Sequence, residues 1–232
     1  MGKNITIIAF DADDTLWHNE RFFRLTQARF RDLLKAHSDA SHLDERLLAA
    51  ERRNLGRYGY GIKGFTLSMI ETALEVTENR VPGEVIHELI AAGQDMLEHP
   101  IELLPHARDA VSHVAKTYKT LLITKGDLMD QERKLAQSGL GDLFHGVEIV
   151  SEKTRDVYQT IFARHGGSAA TSMMVGNSVK SDVVPVIEAG GWGVHVPHGL
   201  EWEIEKAPLP VSEPRFRHLK DLGGIIPLLS QI

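Results

Sequence analysis

Apolar residues run without a charge from Ile5 through Thr6, Ile7, Ile8 and Ala9 to Phe10. Consecutive apolar positions rich in β-branched residues predict a strand buried on both faces. The rhythm then changes. Phe22, Phe23, Thr26, Phe30, Leu33 and Leu34 recur every three to four residues and predict a long helix. A break at residues 37–41 precedes a second helix through Leu43, Leu47, Leu48 and Arg52, with Ser41 or Asp44 as its cap. Glycines and tyrosines from Asn54 to Gly64 predict a loop. Helix resumes from Phe65 to about Thr77, and Pro82 opens another that runs to about Met96. No strand pattern appears between Trp17 and His99.

From Pro100 onward strands and helices alternate. Strands are expected at Thr120–Thr124, Gly146–Val150, Ser172–Gly176 and Trp192–Val196, with an edge strand at Phe216–Leu219. Helices are expected at 105–115, 128–138, 154–165, 182–189 and 221–229. This alternation predicts an α/β fold with a doubly wound parallel sheet. The domain reading is a catalytic α/β core from residues 1–16 and 100–232, interrupted by an all-helical insertion at 17–99.

Composition narrows the function. Hydrophobic residues at 42% and charged residues at 25% are those of an ordinary globular protein. A net charge of -6 argues against nucleic acid as a partner, since a phosphate-backbone binder carries a basic surplus. The absence of cysteine removes thiol catalysis and thiolate metal sites. No apolar run reaches the roughly 20 residues of a membrane helix, and no signal-peptide pattern is evident. A cytoplasmic protein, monomeric or homodimeric and without a membrane partner, is expected.

Chemistry gathers where the predicted strands end. In a doubly wound sheet, ligands bind at the C-terminal strand edge. After the first strand come Asp11, Asp13 and Asp14. Side chains alternate along an extended chain, so Asp11 and Asp13 share a face. Two carboxylates there require either a shared proton or a cation between them. Thr124, Lys125, Gly126 and Asp127 follow the second strand, and Ser151, Glu152 and Lys153 follow the third. Gly176, Asn177, Ser178 and then Asp182 follow the fourth. Acids, a lysine, a hydroxyl and a glycine turn on one edge imply an anion bound through a divalent, oxygen-loving cation.

These residues, in this order and at these strand ends, resemble the four motifs of the haloacid dehalogenase superfamily, in its phosphatase branch with a helical cap after the first strand. The resemblance spans the whole chain. It implies a magnesium-dependent phosphatase acting on a small phosphorylated metabolite, with Asp11 as nucleophile and Asp13 as general acid and base. It implies phosphate contacts from Thr15, Thr124, Lys125 and Lys153, and a Mg²⁺ site formed by Asp11, the Asp13 carbonyl, Asn177 and Asp182. Dehalogenases of the superfamily lack the counterpart of Asp13, so its presence favours phosphoester hydrolysis. Asn177 stands where many relatives carry Asp, which removes one negative charge from the metal site. In the insertion, Arg57, Tyr58, Tyr60 and Lys63 are candidate substrate contacts, with Trp17 lining the same cleft or packing the hinge. The alternatives are a phosphonate hydrolase using Lys63 as a Schiff base, and a silent binding protein with this fold.

Overall fold

The computed structural model describes residues 5–232; residues 1–4 of the expected core segment lie outside the described part. The chain divides into two compact units. One comprises the chain up to Glu20, Ile101–Lys125 and Gln131–Ile232; the other comprises Arg21–Pro100 and Gly126–Asp130.

The first unit is built on a six-stranded sheet. Its strands are β1 (Ile7–Phe10), β2 (Lys119–Lys125), β3 (Gly146–Val150), β4 (Ser172–Gly176), β5 (Trp192–His195) and β6 (Phe216–His218). The order is β3-β2-β1-β4-β5-β6, and every pairing is parallel. This is the doubly wound α/β arrangement expected from the alternation. β1 lies between β2 and β4, with Ile7 opposite Lys119 on one side and Ser172 on the other. Its four residues are at most 2% exposed. Burial of such side chains stabilises the fold by about 1.5–3 kcal/mol each, and the alternate residues feed two different layers. Ile8 and Phe10 join Val111, Val114, Leu122 and Val175 on one face. Ile7 and Ala9 join Leu121, Ile123, Tyr158 and Phe162 on the other. The covering helices include α5 (Ala107–Val114), α6 (Leu128–Ser138), α7 (Arg155–Arg164), α8 (Val184–Glu188) and α9 (Ile225–Leu229). Pro185 sits in the first turn of α8, where a missing N–H costs nothing.

The second unit is helical: α1 (Glu20–Leu34), α2 (Ala40–Tyr58), α3 (Ile62–Val76) and α4 (Gly83–Glu98). Phe30, Leu34, Leu43, Leu47, Met69 and Leu89 form its core. Asp39, rather than Ser41 or Asp44, caps α2 by accepting from His42 N at 3.0 Å, which satisfies one of the helix's free N–H groups. The loop expected over Asn54–Gly64 is much shorter. Helix α2 continues to Tyr58 and α3 starts at Ile62. Asn54 is buried and donates to Ser68 Oγ at 3.1 Å and Glu71 Oε2 at 2.9 Å, which holds the helix through this stretch. Gly59 makes the actual break, at φ 72°. No described helix is long and apolar enough to cross a membrane.

Candidate active site

The C-terminal end of β1 carries Asp11 directly into a buried ion-pair group. Lys153 Nζ donates to Asp11 Oδ1 at 2.5 Å and to Asp182 Oδ1 at 2.7 Å. All three residues are almost wholly buried, at 6%, 4% and 0% exposure for Asp11, Lys153 and Asp182. Burial pushes the Asp11 carboxyl up to about 7 although Lys153 opposes the shift. Burial would lower Lys153, but Asp11 and Asp182 more than reverse it and hold the ammonium above its usual range. The lysine is therefore the fixed positive charge of the site. Asp182 has its second oxygen occupied by Ser178 N at 3.0 Å. Each of its oxygens thus accepts one hydrogen bond, and each keeps a second lone pair.

Thr15 is fully buried and makes no surface for a phosphate, contrary to expectation. Its hydroxyl instead ties Asp11 Oδ2, at 3.1 Å, to the Asn177 backbone N–H, at 3.0 Å. One terminal atom of the Asn177 amide faces Thr15 Oγ1 at 3.2 Å, Asp13 O at 3.2 Å and Asp11 Oδ2 at 3.3 Å. With nitrogen on that side, the amide donates to these oxygens. With oxygen on that side, it accepts from the Thr15 hydroxyl at 3.2 Å, and a carboxylate, a carbonyl and an amide oxygen converge as donors that a cation would use. A set of hard oxygen donors of this kind fits a small divalent cation. Among the described residues no group of three or more His, Asp or Glu side chains forms a metal site by itself; this set mixes one carboxylate with neutral oxygens.

Asp13 is half-buried, and its carboxylate accepts from Trp17 Nε1 at 2.8 Å, Gln131 Nε2 at 2.8 Å and Lys134 Nζ at 3.0 Å from both oxygens. Trp17 is completely buried, so it lines no cleft; it holds Asp13 and bridges to Leu103. Thr124 is the penultimate residue of β2 and is buried, its hydroxyl 3.3 Å from the Lys125 carbonyl. Lys125 is engaged elsewhere. Its ammonium donates to Ser181 Oγ and Glu205 Oε1, both at 2.8 Å, with Glu152 at 3.7 Å. Glu205 also accepts from Ser178 Oγ at 2.7 Å and from Ser181 Oγ. Burial pushes this carboxyl up, but Lys125 and the serines win and hold it below the usual range.

The remaining candidates belong to the second unit. Arg57 is exposed at the end of α2. Tyr58 donates from its hydroxyl to Glu71 Oε1 at 3.1 Å. Tyr60 is half-buried in the short turn. Lys63 is paired with Asp127 at 2.9 Å. Gln131, Lys134 and Glu205 escaped the sequence reading. The first two carried a signal: Asp130, Gln131, Lys134 and Ser138 place polar residues at helical spacing on the buried stripe of α6.

A sheet of this order with a buried aspartate, lysine and aspartate at its C-terminal edge defines a hydrolase of the haloacid dehalogenase type. The family model for haloacid dehalogenase-like hydrolases matches residues 5–190, and the chain belongs to that family. It is 41% identical to a haloacid dehalogenase-like family hydrolase from Xanthomonas campestris, with a TM-score of 0.89, covering 99% of this chain and 92% of that one. Two more distant structures share the fold. The HAD-hydrolase assigned as YfnB from Bacillus subtilis, bound to magnesium, is 16% identical with a TM-score of 0.67, covering 98% of this chain and 99% of that one. The L-2-haloacid dehalogenase from Xanthobacter autotrophicus is 19% identical with a TM-score of 0.65, covering 98% of each chain. No curated protein matches the chain.

Proposed function

We propose that this hydrolase is a magnesium-dependent phosphatase that cleaves a small phosphomonoester through an aspartyl-phosphate on Asp11. The observation that carries this reading is the pairing of two differently supported carboxylates two residues apart. Asp11 is buried against Lys153, whereas Asp13 is gripped by hydrogen-bond donors on a separate side chain set. A halide leaves without a proton, but an alkoxide needs one. A second, well-held carboxylate beside the nucleophile therefore suits an ester.

In the proposed reaction an Asp11 oxygen attacks phosphorus and the ester P–O bond breaks. Asp13 gives its proton to the departing alkoxide. Asp13 then takes a proton from water as that water attacks phosphorus, and the bond between phosphorus and the Asp11 oxygen breaks to release phosphate. Lys153 stays charged throughout and offsets negative charge on the transferring group. Asp11, the Asp13 carbonyl and Asn177 would hold the magnesium ion, as the oxygen convergence described above allows, and the Bacillus relative is bound to magnesium. When bound, the ion supplies charge neutralisation between the phosphate and the carboxylates. Lys63 suits Schiff-base chemistry less well, because its ammonium is engaged by Asp127. A cytoplasmic enzyme acting on a soluble metabolite is the setting this reading implies.

The test compares p-nitrophenyl phosphate and 2-chloropropionate as substrates, with magnesium and with a chelator. Magnesium-dependent phosphate release, lost in Asp11→Asn, supports the reading. Chloride release without phosphate release overturns it.

A further inference from the structure

Helix α6 presents Gln131 and Lys134 on one stripe, nearly one turn apart. Lys134 Nζ lies 3.0 Å from each Asp13 oxygen and donates to Asn19 Oδ1 at 2.9 Å. Gln131 Nε2 donates to Asp13 Oδ2 at 2.8 Å and to the Lys125 carbonyl at 3.0 Å. Trp17 Nε1 reaches Asp13 Oδ1 at 2.8 Å. An ionised carboxylate offers about four acceptor directions, and these contacts fill them. Lys134 and Gln131 are only 5% and 3% exposed. A buried ammonium is costly, and Gln131 Oε1 is buried with no hydrogen-bond partner, a further cost. A simple packing contact would need neither.

We propose that Lys134 and Gln131 are positioning residues for the acid–base step, fixing the plane and reach of the Asp13 carboxylate; this rests on the phosphatase reading.

The experiment compares glycerol phosphate, whose leaving group needs a proton, with p-nitrophenyl phosphate, whose leaving group needs little help. Lys134→Met and Gln131→Met lower kcat on the alkyl ester by about 10- to 100-fold and on the nitrophenyl ester by less than about threefold. Lys134→Arg recovers part of the alkyl activity. Neither Met variant lowers activity further in an Asp13→Asn background. Equal losses on both esters, or losses that add to Asp13→Asn, overturn the proposal. Urea unfolding gives a second measure independent of turnover. Lys134→Met and Asp13→Asn show a coupling of about tenfold or more in the folding equilibrium, and absence of coupling overturns the clamp. If Lys134→Met does not fold, Gln131→Met carries both comparisons. A wild-type chain without metal-dependent phosphate release sinks the phosphatase assignment and the positioning role with it, whereas equal losses on both esters in an active enzyme sink the positioning role alone.

Discussion

Replacing Gly176 by alanine drives a methyl group into the charged centre of the first unit. A Cβ built at Gly176 meets Asp182 Oδ2 at 2.2 Å, Cγ at 2.3 Å and Cβ at 2.7 Å. Real Cβ atoms do not come so near, and Asp182 is no loose surface side chain. It is fully buried, with Lys153 on one oxygen at 2.7 Å and Ser178 N on the other at 3.0 Å. The carboxylate must retreat by the better part of an ångström, which opens both bonds. Overpacking alone costs about 1–3 kcal/mol, and fully breaking a buried ion pair costs about 3–5 kcal/mol. Lys153 retains Asp11, so the pair loss is partial and we expect a total of about 2–4 kcal/mol. The assay is urea unfolding, with the midpoint and its slope measured together so that a change in compactness is not mistaken for a change in stability. Lys153 also shifts relative to Asp11, and a displacement near 1 Å costs about a hundredfold in turnover. A variant within about 0.5 kcal/mol of wild type, with full activity, would refute the idea that Gly176 is needed to admit the Asp182 side chain.

Three further outcomes are expected. Asn177→Asp adds a second charge beside Asp11 Oδ2, and magnesium binding by calorimetry should tighten on the order of tenfold, about 1.4 kcal/mol; unchanged or weaker binding counts against Asn177 as a ligand. Asp14 is buried, its carboxyl pushed up to about 8 chiefly by desolvation. A raised carboxyl contributes stability that is complete below the unfolded value of 3.8 and lost as pH rises to the folded value of about 8, so wild type should weaken from about pH 4 to about pH 8 and level off above, while Asp14→Asn gives a flatter curve; parallel curves would refute the assignment. Tyr58→Phe removes the hydroxyl that donates to Glu71, and the exposed contact should be worth less than about 1 kcal/mol in unfolding; a larger loss would mean that the network around Asn54 depends on it.

What the chain discloses in advance follows from the range of the forces involved. The strands were legible because burial on both faces writes a continuous apolar run, as at Ile7–Phe10. Asp11, Lys153, Asn177 and Asp182 were legible as a group because a parallel sheet delivers successive strand ends to one edge. The stretch from Asn54 to Gly64 misled because glycine count ignores context. A Cβ at Gly56 would meet nothing within 4 Å, so the residue sits on an open helix face and costs only about 1 kcal/mol. The fate of Lys125 was illegible. Its partner Glu205 lies 80 residues away in a segment with no periodic pattern. Trp17 likewise gave no hint that its indole N–H would serve Asp13, since aromatic residues after a strand pack in many ways.

The middle position of β1 sets an order of assembly during synthesis. Its first partner, β2, begins at Lys119, and its second, β4, begins at Ser172. This apolar ribbon must therefore wait, edges bare, while the helical segment between it and β2 is translated. Helices close through neighbouring residues and form fast, whereas joining distant strands carries a larger closure entropy and is slow. The insertion can thus acquire its own core while the ribbon is still unmatched. Newly made chains released before Gly176 would carry β1 with one flank uncovered, the kind of exposed edge through which aggregation begins.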